Sequence, residues 1–169
     1  MIILVDGIDR TGKTTLVERL SMEFNYPVFK DDTRYSLSHD NMALNSEKLN
    51  TLINVIEKGL VKDAIFDRFH WTELIYGKVD RGYVNRDVYD MERRLENYSI
   101  RTGNIVQVIM YPDDIDKSNK EHGSSLNDHM FLFDFVTNMT KVCTMKATYS
   151  TIDECIFKIG QLIKNGGTR

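Results

Sequence analysis

Cysteine is scarce in this chain: Cys143 and Cys155 are the two present among 169 residues. Their separation matches neither metal-ligand nor redox spacing, which argues against a disulfide scaffold and for reduced thiols in a cytosolic protein. His39, His70, His122 and His129 show no ligand spacing, so no zinc site is expected. Long apolar runs are missing too. Met1–Val5 is too short for a signal core or a membrane span, and Asp6 interrupts it, so no membrane partner is expected. Charge of one sign is also lacking. With 22 Lys+Arg against 25 Asp+Glu, the net charge of -3 gives no reason for tight nonspecific nucleic-acid binding. Repeats and low-complexity segments are absent, and only Gly166–Arg169 reads as a loose tail. The length suits one domain over residues 1–169, large enough to bury a core.

What is present is concentrated at the amino end. Met1–Val5 runs directly into Asp6-Gly7-Ile8-Asp9-Arg10-Thr11-Gly12-Lys13-Thr14-Thr15. From Gly7 the spacing is G-x-x-x-x-G-K-T, the phosphate-binding loop. Gly7 and Gly12 allow the tight turn that points main-chain N–H groups at phosphate oxygens. The helix opening at Lys13 adds its positive end. Lys13 is placed to reach the β- and γ-phosphates and Thr14 to ligate Mg²⁺. Strand, loop and periodic helix (Leu16, Val17, Leu20, Phe24) stand in the order the motif needs.

Farther along, apolar runs alternate with amphipathic stretches, which predicts an α/β fold with a five-stranded parallel sheet flanked by helices. Strands are expected at Ile2–Val5, Tyr26–Lys30, Leu60–Asp67, Asn104–Tyr111 and Val142–Tyr149. Helices are expected at Lys13–Phe24, through Leu49, Leu52, Ile53 and Ile56 to Gly59, at Phe69–Gly77, Arg86–Tyr98, Leu126–Thr140 and Thr151–Lys164. In parallel sheets ligands lie beyond the carboxyl ends of the strands. That rule gathers the phosphate loop, Lys30–Arg34, Asp67–Arg68, Pro112–Ser125 and the loop after Tyr149 on one rim.

Several residues on that rim suit chemistry. Asp67 ends an apolar strand, where a carboxylate can bind Mg²⁺; the alternative is a strand-end ion pair with Arg68. Arg68 can neutralise a second phosphate. Arg10 can fold over a transferred phosphoryl group, and Asp9 can accept from a sugar hydroxyl; otherwise the two form a solvated pair. Lys30, Arg34 and Arg81 are candidate clamps for an acceptor phosphate, or ordinary surface cations. Phe69, His70, Trp71, Glu73 and Tyr76 crowd the next segment. Their rings suit stacking on a base, with Glu73 reading a polar edge, or else they fill a helix core. Pro112–Ser125, with Lys117 and Lys120 as its cations, reads as a lid that excludes water.

Asp6–Thr15 together with Asp67-Arg68-Phe69 resembles the thymidylate kinase family of nucleoside monophosphate kinases, in the variant with an arginine inside the loop. Asp67–Gly82 also resembles compact viral proteins of that kind. The resemblance implies a P-loop kinase three-layer sandwich with a lid, and ATP-dependent phosphorylation of a deoxynucleoside monophosphate, most simply dTMP or a related pyrimidine. It implies that ATP lies along Gly7, Asp9, Thr11, Gly12, Lys13, Thr14 and Thr15, with Mg²⁺ at Thr14 and Asp67. Lys13, Arg10, Asp67 and Arg68 would be catalytic. Asp9, Arg34, Arg68, Phe69 and Arg81 would bind the acceptor nucleotide. A homodimer in the cytoplasm (the host's, if viral) is the corresponding expectation.

The chain is shorter than is usual for the family, and two further features depart from the family pattern. Asp6 stands where Glu is usual, and Ser46–Gly59 lacks the Phe and Arg used for thymine. A deoxynucleoside kinase with Asp31 or Asp32 as base, or a kinase acting on a modified base or 5′ end in DNA, are the alternatives. A guanine-reading switch is disfavoured, because Asn119-Lys120-Glu121-His122 lacks the final Asp.

Overall fold

β1, Ile2–Gly7, is buried at every residue. A strand apolar on both faces needs cover on both, which is the situation of a central parallel strand. The computed structural model describes residues 1–30, 39–115 and 125–167. It contains four further strands: β2 (Val28–Lys30), β3 (Ala64–Asp67), β4 (Ile105–Met110) and β5 (Cys143–Ala147). Their order is β2-β3-β1-β4-β5, and every neighbouring pair is parallel. The register aligns Val5 with Asp67, Lys30 with Asp67, Gly7 with Met110, and Met110 with Ala147. The carboxyl ends of all five strands therefore meet on one rim.

Six helices surround the sheet among the described residues: α1 (Lys13–Phe24), α2 (His39–Glu57), α3 (His70–Asp80), α4 (Asp87–Thr102), α5 (Ser125–Met139) and α6 (Ile152–Lys164). The alternation of β1 decides which helices cover which face. Ile3 and Val5 pack with Leu16, Val17 and Leu20 of α1 and Ile152, Cys155 and Ile159 of α6. Ile2 and Leu4 pack with Leu49, Ile53 and Ile56 of α2 and Met91 and Leu95 of α4. A third cluster joins Ile8 and Ile109 to Trp71, Leu74 and Ile75 of α3 and Phe133 and Val136 of α5. Each such side chain contributes about 1.5–3 kcal/mol on burial.

Polar ties fix the helices to one another. The Arg94 guanidinium of α4 bonds Glu57 of α2 at 2.5 and 3.2 Å, and this holds the Glu57 carboxyl below its usual range. Buried His70 and Glu92 meet at 2.5 Å, and the Thr140 hydroxyl donates to the same carboxylate.

Differences from the expected spans lie at ends. β2 starts at Val28 because Pro27 has no N–H to give the ladder, although its carbonyl accepts from Ile65 at 2.9 Å. β5 stops at Ala147 because a Thr148–Thr151 capping box starts a 3-10 turn, Tyr149–Thr151. No helix among the described residues is long and apolar enough to cross a membrane. Cys143 and Cys155 are free thiols, and burial pushes Cys155 up to about 11.

Candidate active site

The site begins where β1 runs into α1. Gly7 has φ 131°, and a Cβ there would sit 2.3 Å from the Met110 carbonyl oxygen. Only glycine fits, so the loop starts flush against β4. Ile8 N–H donates to the same carbonyl at 3.1 Å. Arg10 is left-handed at φ 61° and Gly12 at φ 90°, reversals that fold the loop back onto α1. The Thr11 hydroxyl staples it by donating to the Ile8 carbonyl at 2.6 Å. Gly12 abuts Tyr149: a Cβ would lie 2.7 Å from its ring. Lys13, Thr14 and Thr15 open α1, so their N–H groups have no partner inside the helix and are available to an anion.

Lys13 is only 6% exposed. Its Nζ donates to the Gly7 carbonyl at 3.0 Å and the Ile8 carbonyl at 2.5 Å, and lies 3.4 Å from Asp9 Oδ1. Burial lowers it from 10.5 to about 8, with Asp9 opposing and Arg68 assisting. Asp9 also takes Arg68: Nη2 donates to the same Oδ1 at 2.8 Å. The Asp9 N–H donates to the Tyr76 hydroxyl at 2.8 Å. Loop lysine, loop carboxylate and the arginine after β3 thus form one chain of contacts, anchored to α3. Arg10 is exposed on the outer turn of the loop and Thr14 on the first turn of α1, while Thr11 is buried and Thr15 half-buried.

Asp67 ends β3 and Arg68 follows it. Asp67 is 4% exposed, and burial raises its carboxyl pKa, opposed by Lys30, Arg68 and Lys13. Arg68 adopts φ 67°, and its N–H donates to the Val5 carbonyl at 2.9 Å. That kink turns its side chain back across β1 to Asp9. The carboxylate of Asp67 and the hydroxyl of Thr14 are hard oxygen donors of the kind Mg²⁺ takes. Among the described residues no group of three His, Cys, Asp or Glu could hold a metal ion unaided.

Two expected acceptor residues are engaged elsewhere. The Phe69 ring, expected at the pocket, is 3% exposed and packs on Phe66 at 5.1 Å, so it is core. Arg81 closes α3 and is 9% exposed. Its Nη1 donates to Glu73 Oε2 at 3.0 Å and Tyr83 Oη at 2.9 Å. Tyr83 Oη donates to Glu73 Oε1 at 2.7 Å, and Asn45 Nδ2 to Oε2 at 3.0 Å. Glu73 is therefore the hub of a buried polar network rather than an open reader. Arg34, Asp31, Asp32, Lys117 and Lys120 lie outside the described residues.

Beside Arg68 the structure has an apolar cavity of about 110 Å³ lined by Phe29, Lys30, Lys48, Leu49, Leu52 and Phe66. Phe29 stacks on Phe66 at 5.1 Å. A larger groove of about 280 Å³, between β5 and α6, contains none of the expected site residues.

No family model matches the sequence, and no curated protein matches it. Solved structures do. The YorR protein of Bacillus subtilis, solved with phosphorylated GDP, superposes with a TM-score of 0.70 at 20% identity, over 97% of this chain and 96% of its own. Thymidylate kinase from Candida albicans follows the same path with a TM-score of 0.62 at 19% identity, over 97% and 91%. Deoxyadenosine kinase from M. mycoides, with dCTP bound, gives 0.50 at 16%, over 95% and 99%.

The chain has the P-loop nucleotide-kinase fold. The structure has the loop between β1 and α1 and Asp67-Arg68 at the carboxyl end of β3, where the sequence put them. The sequence missed the tie from Tyr76 to the loop and the contact of Tyr149 with Gly12, because both join segments far apart in the chain. It also missed the Phe29–Leu49–Leu52 cavity. The one available signal was helical spacing, which sets Lys48, Leu49 and Leu52 on one face of α2.

Proposed function

We propose that this chain transfers a phosphoryl group from ATP to a deoxynucleoside monophosphate, with a pyrimidine such as dTMP the leading acceptor. The observation that carries the reading is Arg68: a half-buried guanidinium, fixed at the end of β3, reaches 2.8 Å from Asp9 of the phosphate loop. A cation held opposite a phosphate cradle suits a second anion. A structural neighbour that is a thymidylate kinase agrees with such an acceptor.

In this reading the donor polyphosphate lies along Gly7–Thr15, and Lys13 leaves its loop carbonyls to bond the β- and γ-oxygens. An oxygen of the acceptor phosphate attacks the γ-phosphorus, and the bond to the bridging β–γ oxygen breaks to release ADP. Arg10 and Lys13 meet the spreading negative charge. Arg68 exchanges Asp9 for the acceptor phosphate, which frees Asp9 for the sugar. Thr14 and Asp67 would hold Mg²⁺, which neutralises phosphate charge when bound. A phosphate acceptor needs no general base, because it is already ionised. The same resemblance makes a homodimer the proposed assembly, readable by sedimentation.

The test is transfer from ATP across deoxynucleosides, deoxynucleoside monophosphates and short DNA, with Lys13→Ala as control. Diphosphate formed only from monophosphates supports the reading. Product only from nucleosides or from DNA overturns it in favour of those acceptors.

A further inference from the structure

The residue before the first loop glycine has work the motif does not explain. Asp6 is 0% exposed. Its Oδ1 accepts from the Phe69 N–H at 2.9 Å, the Thr72 N–H at 3.3 Å and the Thr72 hydroxyl at 2.5 Å. Phe69 is the N-cap position of α3, and its own side chain supplies no cap. Asp6 therefore does, from another strand, what an Asp at the N-cap does for its own helix. Its charge also sits against the positive end of α3.

This grip flanks Arg68. On one side the Arg68 N–H is tied to the Val5 carbonyl at 2.9 Å. On the other the Phe69 N–H is tied to Asp6 at 2.9 Å. Between them Arg68 holds a left-handed φ of 67°, a conformation that a non-glycine residue keeps only when its surroundings impose it. Its guanidinium then reaches Asp9 at 2.8 Å.

We infer that Asp6 is a positioning residue: by capping α3 across the sheet it fixes the backbone of Arg68 and so sets where that arginine holds the acceptor anion. The inference rests on the proposed acceptor role of Arg68. Oδ2 of Asp6 is buried without a hydrogen-bond partner. The carboxylate's energetic return thus comes through Oδ1 and the α3 start, and Asp6→Asn keeps shape while removing the charge.

The test compares wild type, Asp6→Asn, Thr72→Val, Arg68→Ala and the Asp6→Asn/Arg68→Ala double variant. KM for the monophosphate, kcat, and Kd for ATP are measured well below each melting temperature. Asp6→Asn is expected to raise the acceptor KM about tenfold, the part of a charge-assisted bond lost with its charge. ATP Kd is expected to stay within about twofold, since the loop amides are untouched. Thr72→Val, which removes one of three donors and keeps volume, moves the acceptor KM the same way by less. In the Arg68→Ala background Asp6→Asn adds nothing further to the acceptor KM, which a merely structural role would not produce. An unchanged acceptor KM, an equal loss of ATP affinity, or full additivity overturns the inference while leaving the kinase reading intact. If Arg68→Ala itself leaves the acceptor KM unchanged, the proposed acceptor site is wrong and this inference goes with it.

Discussion

The hydroxyl of Tyr76 accepts the main-chain N–H of Asp9 at 2.8 Å, so α3 holds the phosphate loop in addition to the turn after β3. The Tyr76 ring also lies 4.5 Å from His129 of α5. The loop is thereby coupled to the helix that follows Pro112–Ser125. Tyr76→Phe removes one neutral hydrogen bond, worth about 1 kcal/mol. The bond is only partly buried, so water can replace it. ATP Kd should rise only about three- to fivefold, measured by titration calorimetry. An unchanged Kd would show that the loop is set without α3.

Glycine matters unequally along the chain. At Gly7 both φ and the Met110 carbonyl 2.3 Å from a Cβ forbid a side chain, whereas Gly59, at φ 66°, faces nothing within 4 Å. Gly7→Ala should cost at least about 3 kcal/mol and abolish ATP binding. Gly59→Ala should cost about 1 kcal/mol and leave activity unchanged. Melting temperatures with and without ATP separate the two.

Lys13 predicts a pH signature. Burial lowers it from 10.5 to about 8, so between those values the unfolded chain binds a proton the folded one has released. Stability from this group therefore rises with pH over that window, by at most roughly 3 kcal/mol. Lys13→Met should abolish the rise, as read by denaturant melts at pH 7 and pH 10. Bound polyphosphate restores the charge, so ATP affinity is full below about pH 8 and falls above it. A pH-independent ATP Kd across that range would contradict this placement of the lysine.

The two arginines near α3 should separate stability from function. Arg81→Ala leaves Glu73, 7% exposed, without its cation, and should destabilise by about 3 kcal/mol. Arg68 is 31% exposed and its partner Asp9 37%. Its loss should cost under about 1 kcal/mol of stability, yet raise the acceptor KM at least about tenfold. Melts and acceptor KM values on both variants check the pair. Similar profiles for the two would remove the distinction.

Much of this was legible from residue order. The G-x-x-x-x-G-K-T spacing fixes the loop because phosphate geometry demands those residue types. The apolar β1 run announces a buried parallel strand, and the stripes of α1 and α6 give the covering layer. What was not legible depends on which strand lies beside which. Arg81 and Arg68 look alike in sequence. Only the fold shows that Glu73 and Tyr83 absorb the first while Asp9 receives the second. Phe69 looked like a stacking ring, but β3 delivers it into the α2–α4 core. Asp6 looked like a variation in the motif until α3 was seen to start on its carboxylate.

The most direct test of the account is transfer of the γ-phosphoryl group, followed with γ-labelled ATP, Mg²⁺ and dTMP, dCMP, dUMP or dGMP. The account predicts label in a deoxynucleoside diphosphate, lost with Lys13→Ala and recovered in Arg68→Ala only at high monophosphate. Label that stays on ATP, or leaves only as inorganic phosphate with every acceptor, contradicts it.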